Sequence, residues 1–175
     1  LLHQAKQMNL IGPEKTIKGA LHGVYPIRLE ETLEIEGKTV TVRPAKPVDE
    51  RRIQEHFYTL DKNDIFSRFF HAKTSFVYDD VGGVSQVDYI ENLTILAVVG
   101  EFGFGKVVGI GEYLLDPSSN LAEVAFSVSG AWQAKGFGRR LMKKLFEGAR
   151  DNGIAGFTAS TSPDDKGMIS LFNRL

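Results

Sequence analysis

The chain has 175 residues, which is the size of one domain and enough to bury a sizeable core. Its 42% hydrophobic and 25% charged residues are ordinary for a soluble globular protein, and no apolar run approaches the roughly 20 residues that span a membrane. Twenty-one Lys and Arg nearly balance 22 Asp and Glu, so the net charge of −1 gives no field for non-specific nucleic-acid binding. The absence of cysteine excludes disulfides, a thiolate nucleophile and Cys-ligated zinc.

Residues 1–32 are expected to form a tail or linker, because glycine and proline recur between Gly12 and Pro26 and interrupt any helical pattern. We expect the domain itself to occupy residues 33–175. The alternative for residues 1–32 is an arm that packs on this domain. Because the chain begins with Leu1 and stops abruptly at Leu175, we expect it to be a piece of a longer protein. No charged segment followed by an apolar run marks a signal peptide, and a cytoplasmic location is therefore expected.

The first half of the domain combines a hairpin with helices. Apolar and polar residues alternate around Gly37 and predict two short strands joined by a turn in residues 33–45. Ile53, Phe57 and Leu60 have the spacing of one helix face. Two further helices are predicted over residues 64–73 and 84–92.

The second half alternates strands and helices. Three strand-like runs, residues 93–100, 106–116 and 122–128, predict an antiparallel meander. An amphipathic helix is predicted over residues 136–151, and Asn152 and Gly153 are placed to end it. Another strand (residues 156–161) and a last helix (residues 168–175) complete the predicted elements.

Two glycine-rich segments compete as phosphate sites. Residues 100–107 match G-x-x-x-x-G-K, but Val107 stands where a P-loop needs Ser or Thr, and a strand pattern follows instead of a helix. We interpret this segment as a hairpin turn.

The second segment, residues 133–140, lies between a predicted strand and an amphipathic helix. Its glycines let the backbone approach a phosphate, and free amides at a helix start carry partial positive charge. Arg139, Arg140 and Lys143 add formal charge in the first turns. This pattern predicts a ligand that bears phosphate.

The sequence Q-A-K-G-F-G, from Gln133 to Gly138, resembles the acyl-CoA pyrophosphate loop [Q/R]-x-x-G-x-[G/A] of the GNAT family of N-acetyltransferases. The order of predicted elements over residues 38–175 is also similar. Residues 39–71, with S-R-F-F at 67–70, and residues 122–142 resemble the bacterial protein-lysine acetyltransferase branch, which is often fused to acyl-CoA ligases or CoA transferases. The resemblance implies an α/β fold with a mixed, mostly antiparallel sheet flanked by helices. It also implies that the last two strands of the family fold are missing from this chain, and that a fused ligase or CoA transferase is a partner.

The resemblance further implies a site for acetyl-CoA. The amides of residues 134–139 would hold the pyrophosphate, residues 126–128 would pair with pantetheine like an added strand, and Glu123 would be the general base. The chain differs from the family at Asp165, where members often carry an Asn that contacts CoA, and it stops before the position of a frequent Tyr general acid. The implied cofactor-binding residues are Phe126, Ser127, Val128, Gln133, Ala134, Lys135, Gly136, Phe137, Gly138, Arg139 and Asp165.

The chemistry of amine acetylation needs a base such as Glu123. An alkylammonium has an ordinary pKa near ~10.4, so at neutral pH it must lose a proton before it can attack a thioester. A carboxylate can take that proton directly or through one water, and a strand amide such as that of Val128 can stabilise the oxyanion. We expect direct transfer without a covalent enzyme intermediate.

The sequence thus predicts an acetyl-CoA-dependent N-acetyltransferase whose acceptor is an amine, with a protein lysine favoured and the acidic residues of segment 79–101 helping to receive it. No metal is expected, because His3, His22, His56 and His71 lack ligand spacing. Neither nucleic acid nor membrane is expected as a partner. Two alternatives remain open: a small-molecule amine acetyltransferase, and a non-catalytic acyl-CoA sensor that regulates a fused enzyme.

Overall fold

Six strands form one sheet in the order of the sequence. The computed structural model describes residues 24–63, 87–159 and 166–173. The strands are β1 (Glu31–Ile35), β2 (Lys38–Pro44), β3 (Asn92–Val99), β4 (Lys106–Asp116), β5 (Leu121–Val128) and β6 (Gly156–Thr158). The helices are α1 (Glu50–Tyr58), α2 (Phe137–Asp151) and α3 (Lys166–Asn173). Strands β1 to β5 pair antiparallel and β6 pairs parallel to β5, which confirms the mixed, mostly antiparallel sheet.

Turn chemistry explains the hairpins. Glu36 and Gly37 between β1 and β2 both have positive φ, 51° and 75°, as a two-residue type I′ turn requires. Residues 100–105 turn the chain from β3 into β4, so the interpretation of the first glycine-rich segment as a hairpin turn is confirmed. A Cβ on Gly105 would lie 1.8 Å from the carbonyl oxygen of Val99, which explains why glycine is needed there.

The helix predicted over residues 84–92 is wrong in its described part, because residues 87–91 are not helical. The Asp88 carboxylate accepts the backbone N–H groups of Ile90, Glu91 and Asn92 at 2.9, 2.8 and 3.1 Å. This side chain takes the amides that would otherwise enter helical bonds, and β3 begins directly afterwards. The helix predicted over residues 64–73 lies outside the described residues.

Each face of the sheet carries a core under a helix. On one face α2 covers the larger core: Leu29, Val40, Val42, Leu93, Ile95, Ala97, Val108, Tyr113, Ala122, Val124, Phe137, Leu141, Met142, Leu145 and Ala149. On the other face α1 covers a smaller one: Ala45, Ile53, Phe57, Leu60, Leu96, Val98, Val107 and Ile110. Helix and strand periodicity in the sequence produces these two faces. None of the described helices is both long and apolar enough to cross a membrane.

Part of the segment expected to be a tail contributes to the folded domain. Residues Ile27–Leu29 form a 3-10 turn, and the Leu29 side chain is only 1% exposed in the core beneath α2. The Arg28 guanidinium also pairs with Asp151 at the end of α2. The division of the chain at residue 32 stays a prediction for the residues before Val24.

A buried ion pair fixes the start of α1 to the sheet. Arg43 at the end of β2 donates two hydrogen bonds of 2.7 Å to Asp49, and their side chains are 2% and 0% exposed. The Arg43 Nε also donates to the carbonyl of Gly103 in the β3–β4 turn at 3.0 Å, and Asp49 accepts the Lys46 amide at 2.8 Å. One guanidinium therefore holds α1 and the turn against β2.

We expect Asp49→Ala to lower the free energy of unfolding by about 3–5 kcal/mol, because it leaves the Arg43 charge buried without its partner. Urea denaturation would measure this loss. As a control, Glu55→Ala breaks the exposed Arg51–Glu55 pair, which should be worth less than ~1 kcal/mol. If both variants lost the same free energy of unfolding, the buried Arg43–Asp49 pair would contribute no more to stability than an exposed pair, which would contradict this prediction.

Candidate functional site

Strand β5 is paired along only part of its length on the side of β6. β5 has eight residues, but its register with β6 covers only Leu121, Ala122 and Glu123, opposite Gly156–Thr158. Beyond Glu123 the described part of the chain gives β5 no further strand partner on that side. Among the described residues, the edge of β5 beyond Glu123 is therefore unpaired on that side.

The backbone groups of Phe126 and Val128 face this unpaired side of β5. The Ser129 N–H donates to the carbonyl of Val108 on β4 at 2.8 Å. Because antiparallel residues alternate between bonded and non-bonded pairs, Ser127 and Ala125 also bond toward β4, while Phe126 and Val128 project N–H and C=O to the other side. Consistently, the carbonyl of Val128 accepts the side-chain amide of Gln133 at 2.9 Å.

The loop after β5 ends in exposed helix amides. A 3-10 turn (Gly130–Trp132) follows the strand, and Ala134 and Gly136 then take positive φ of 59° and 83°. The Arg140 amide makes the first turn's bond to the carbonyl of Gly136, and no side chain of the described residues caps the N-terminus of α2. The amides of residues 137–139 therefore lack helical partners and carry the partial positive charge of the helix end.

Three basic side chains near this loop are paired with the β1–β2 hairpin. The Lys135 ammonium lies 2.5 Å from Glu36, and Arg140 and Lys144 lie 3.5 and 3.4 Å from the two carboxylate oxygens of Glu31. These pairs neutralise the side of α2 that faces the hairpin.

Arg139 and Lys143 are exposed one helical turn apart, and within the described residues neither has an ion-pair partner. Among the described residues, the loop thus offers amides without helical partners together with two cations that have no ion-pair partner. This arrangement fits a ligand with more than one anionic group. Phe137, by contrast, is 2% exposed in the core, and its ring packs edge-on against Trp132, so its side chain is not available to a ligand.

Glu123 lies at the last position of β5 that pairs with β6. Its side chain is exposed on the α1 face of the sheet, and its partners are Leu114 on β4 and Thr158 on β6. Glu112, which the sequence did not single out, lies on the same face because it pairs with Ala125. Diagonal neighbours of this kind are within reach of long side chains, so two carboxylates line this face beside the unpaired edge.

Tyr113 lies behind the same region but on the α2 face. Burial raises the pKa of its phenol to about 12, and the hydroxyl donates to the carbonyl of Ile90 at 3.0 Å and accepts from the amide of Asn152 at 3.1 Å. A neutral, fully engaged phenol on the face opposite Glu123 takes no part in proton transfer there.

The structure adds a buried histidine that sequence reasoning had set aside. His56 on α1 is 1% exposed, and its Nε2 and Nδ1 lie 2.9 Å and 3.2 Å from the hydroxyls of Ser127 and Ser129. The Ser127 side chain therefore faces α1 and not the open edge. The one available signal was that His56 adjoins Phe57 on the buried side of a helix.

The predicted site residues otherwise fall into one region. Phe126, Ser127 and Val128 end β5, residues 133–139 follow directly, and Glu123 lies three residues before Phe126. Asp165 lies outside the described residues. Within residues 24–63, 87–159 and 166–173, no group of three or more His, Asp or Glu side chains could hold a metal ion.

Because Gly136 has a positive φ, replacing it should strain the backbone and lower stability even though an added Cβ would clash with nothing. A Cβ at Gly136 or at Gly130 would meet nothing within 4 Å, but only Gly136 has a left-handed φ. We expect Gly136→Ala to lower the free energy of unfolding by about 1–2 kcal/mol, while Gly130→Ala leaves it unchanged or slightly higher. Urea denaturation of both variants checks this, and equal effects would contradict it.

Comparison with known proteins agrees with this geometry. The model of the acetyltransferase (GNAT) family matches residues 52–175. The acetyltransferase PA5475 of Pseudomonas aeruginosa is 24% identical over 136 residues, which cover 78% of this chain and 73% of that protein. The GNAT domain of S. lividans PAT superposes with a TM-score of 0.78 at 25% identity and covers 86% of this chain and 89% of that one. The protein yncA of Salmonella typhimurium, solved with its cofactor acetyl-CoA, gives a TM-score of 0.62 at 20% identity over 77% of each chain. The chain belongs to the GNAT family of acetyltransferases.

Proposed function

We propose that this domain transfers an acetyl group from acetyl-CoA to an amine. The observation that carries the proposal is a series of backbone donors along the chain: Phe126 and Val128 at the unpaired edge of β5, and then the amides of residues 137–139, which lack helical partners at the start of α2. An elongated ligand with amides at one end and phosphates at the other matches that series. The related fold of the Salmonella protein contains acetyl-CoA, which supports this choice of ligand.

Pantetheine would add to β5 as an extra strand. Strand addition to an exposed edge supplies main-chain hydrogen bonds, and the N–H and C=O groups of Phe126 and Val128 are directed to that edge. The side-chain amide of Gln133 donates a hydrogen bond to the carbonyl of Val128, and this bond fixes the turn at which the chain leaves β5. The pyrophosphate would then reach the amides at the start of α2.

The acyl-transfer step uses groups on the α1 face. Glu123 would take the proton of the acceptor ammonium, directly or through one water, so that the neutral amine attacks the thioester carbonyl. The Val128 N–H would stabilise the oxyanion that develops on the acetyl oxygen. The tetrahedral intermediate then collapses: the carbon–sulfur bond breaks, the amine nitrogen gives up its remaining extra proton to the leaving sulfur, the product is an amide, and CoA leaves as the thiol.

A protein lysine is the proposed acceptor. The resemblance of residues 39–71 and 122–142 to the protein-lysine acetyltransferase branch supports it, and Glu112 and Glu123 give the α1 face an anionic character that suits an ammonium. Asp88 does not contribute from the acidic segment, because its carboxylate accepts three backbone amides. The alternative acceptor is a small-molecule amine, which acceptor screening would distinguish from a protein lysine. A fused ligase or CoA transferase is the proposed neighbour of the domain.

Calorimetric titration tests the cofactor site. We expect acetyl-CoA to bind in the micromolar range, and its analogue without the 3′-phosphate to bind roughly tenfold more weakly, the scale of one charge-assisted hydrogen bond. Arg139→Ala should weaken acetyl-CoA binding by a similar factor and remove most of the difference between the two ligands. Arg140→Ala is the matched control, because that guanidinium already pairs with Glu31. If neither ligand binds, the cofactor assignment is wrong.

We expect Glu123→Gln to lower kcat by about 10²- to 10⁴-fold, the usual contribution of a general base. Binding of acetyl-CoA should not change, because the carboxylate acts on the acceptor. Release of the CoA thiol with poly-L-lysine as acceptor probe would measure the rate. Glu34→Gln, which removes an exposed carboxylate on β1, is the control. An unchanged rate for Glu123→Gln at neutral pH would refute the assigned role. Binding of acetyl-CoA without turnover for any amine would favour an acyl-CoA sensor.

A further inference from the structure

We propose that His56 is a positioning residue for acyl transfer, which acts by holding the two serines on either side of Val128. The inference rests on the proposed function, because the Val128 N–H is the proposed donor to the acetyl oxygen. Nothing about the motif of the loop requires a histidine on α1. A set of side-chain contacts joins α1 to the end of β5, and the inference is drawn from them.

The contacts are short and buried. The His56 Nε2 lies 2.9 Å from the Ser127 Oγ, its Nδ1 lies 3.2 Å from the Ser129 Oγ, and the Ser129 Oγ lies 2.8 Å from the Thr59 Oγ1. His56, Ser127 and Ser129 are 1%, 7% and 6% exposed. Since α1 otherwise packs on side chains of β3 and β4, His56 is the residue by which this helix reaches the end of β5.

The hydroxyl hydrogens assign the tautomer of the imidazole. Thr59 donates its one hydroxyl hydrogen to the carbonyl of His56 at 2.6 Å, so it can only accept from Ser129. Ser129 thereby uses its own hydrogen and must accept from the His56 Nδ1–H. In the tautomer with its hydrogen on Nδ1, the Nε2 carries the lone pair that accepts the Ser127 hydroxyl.

The contacts of His56 with Ser127 and Ser129, here called the clamp, fix the backbone at Val128, where the proposed oxyanion donor lies. Residues 127 and 129 point their side chains to the α1 face, and both hydroxyls are tied to one imidazole, while the Ser129 amide is tied to Val108. The peptide groups of Val128 between them therefore have little freedom to rotate. A preorganised donor stabilises charge in the transition state without reorganisation, and a displacement of about 1 Å can cost on the order of 10²-fold in rate.

The variants are chosen to remove one contact at a time. Ser127→Ala and Ser129→Ala each delete one oxygen from a buried position and leave the packing of the ring in place. His56→Asn can keep the donor to Ser129 and loses the acceptor for Ser127, whereas His56→Gln can do the reverse. Thr41→Val is the matched control, because Thr41 is 8% exposed on β2 and lies outside the network.

We expect Ser129→Ala and Ser127→Ala to lower kcat with poly-L-lysine by about 10- to 100-fold. Their acetyl-CoA dissociation constant, measured by calorimetry, should rise less than about threefold, because the lost positioning counts mainly in the transition state. In the His56→Asn background Ser127→Ala should cost little more, since the contact is already absent. Thr41→Val should keep the wild-type kcat.

Nitrogen NMR of the histidine ring gives a test that does not depend on activity. In the wild-type protein the His56 hydrogen should be on Nδ1 and the lone pair on Nε2, and the Ser129 amide should exchange about fivefold faster in His56→Gln, the factor supplied by one net hydrogen bond. A ring protonated at Nε2, unchanged kcat in both serine variants, or an equal loss in Thr41→Val would overturn the inference. An acetyl group recovered on Ser127 would also overturn it, because His56 would then act as a base.

The two proposals fail in different ways. If the wild-type protein does not bind acetyl-CoA, the proposed function fails while the tautomer and exchange measurements still report on the clamp. If acetyl-CoA binds and turns over but the serine variants keep full kcat, the function stands and the role of His56 is wrong.

Discussion

The early end of the parallel pairing between β5 and β6 is the constraint on which the site depends. Parallel strands require a crossover, and α2 supplies it by leaving the end of β5 and returning the chain to pair at Leu121–Glu123. Because the pairing stops there in the described part of the chain, the rest of the β5 edge, which precedes the crossover helix, has its amides unpaired on that side. The two kinds of unpaired backbone donor therefore lie next to each other for a topological reason, without a dedicated binding insertion.

The two faces of the sheet carry different groups of residues. The face under α2 holds the larger core, and burial of Phe137 within it anchors the first turn of that helix behind the loop. The face under α1 holds Glu123, Glu112 and His56, so the proposed proton transfer and the proposed positioning both lie on the side away from the larger core. The Arg43–Asp49 pair sets the start of α1, and His56 near its other end reaches β5.

Local patterns in the sequence predicted most of the fold. The hairpin at Gly37, the meander and α2 follow from alternation, turn residues and helical spacing, and the loop from Gln133 follows from its glycines and flanking elements. The interaction of His56 with Ser127 and Ser129 could not be predicted, because it joins residues separated by 71 and 73 positions. Residues 87–91 were predicted wrongly because the bonds of one Asp88 carboxylate outweigh the apolar spacing around it.

The most direct test of the central claim is a titration of the isotope-labelled protein with acetyl-CoA, followed by amide NMR. The account predicts that the largest shifts fall on the amides of Phe126, Val128 and residues 136–139, with smaller changes on β2 and β3. Shifts that instead centre on the turn at residues 100–105, or no shifts at saturating acetyl-CoA, would contradict the claim that the open edge of β5 and the start of α2 form one site.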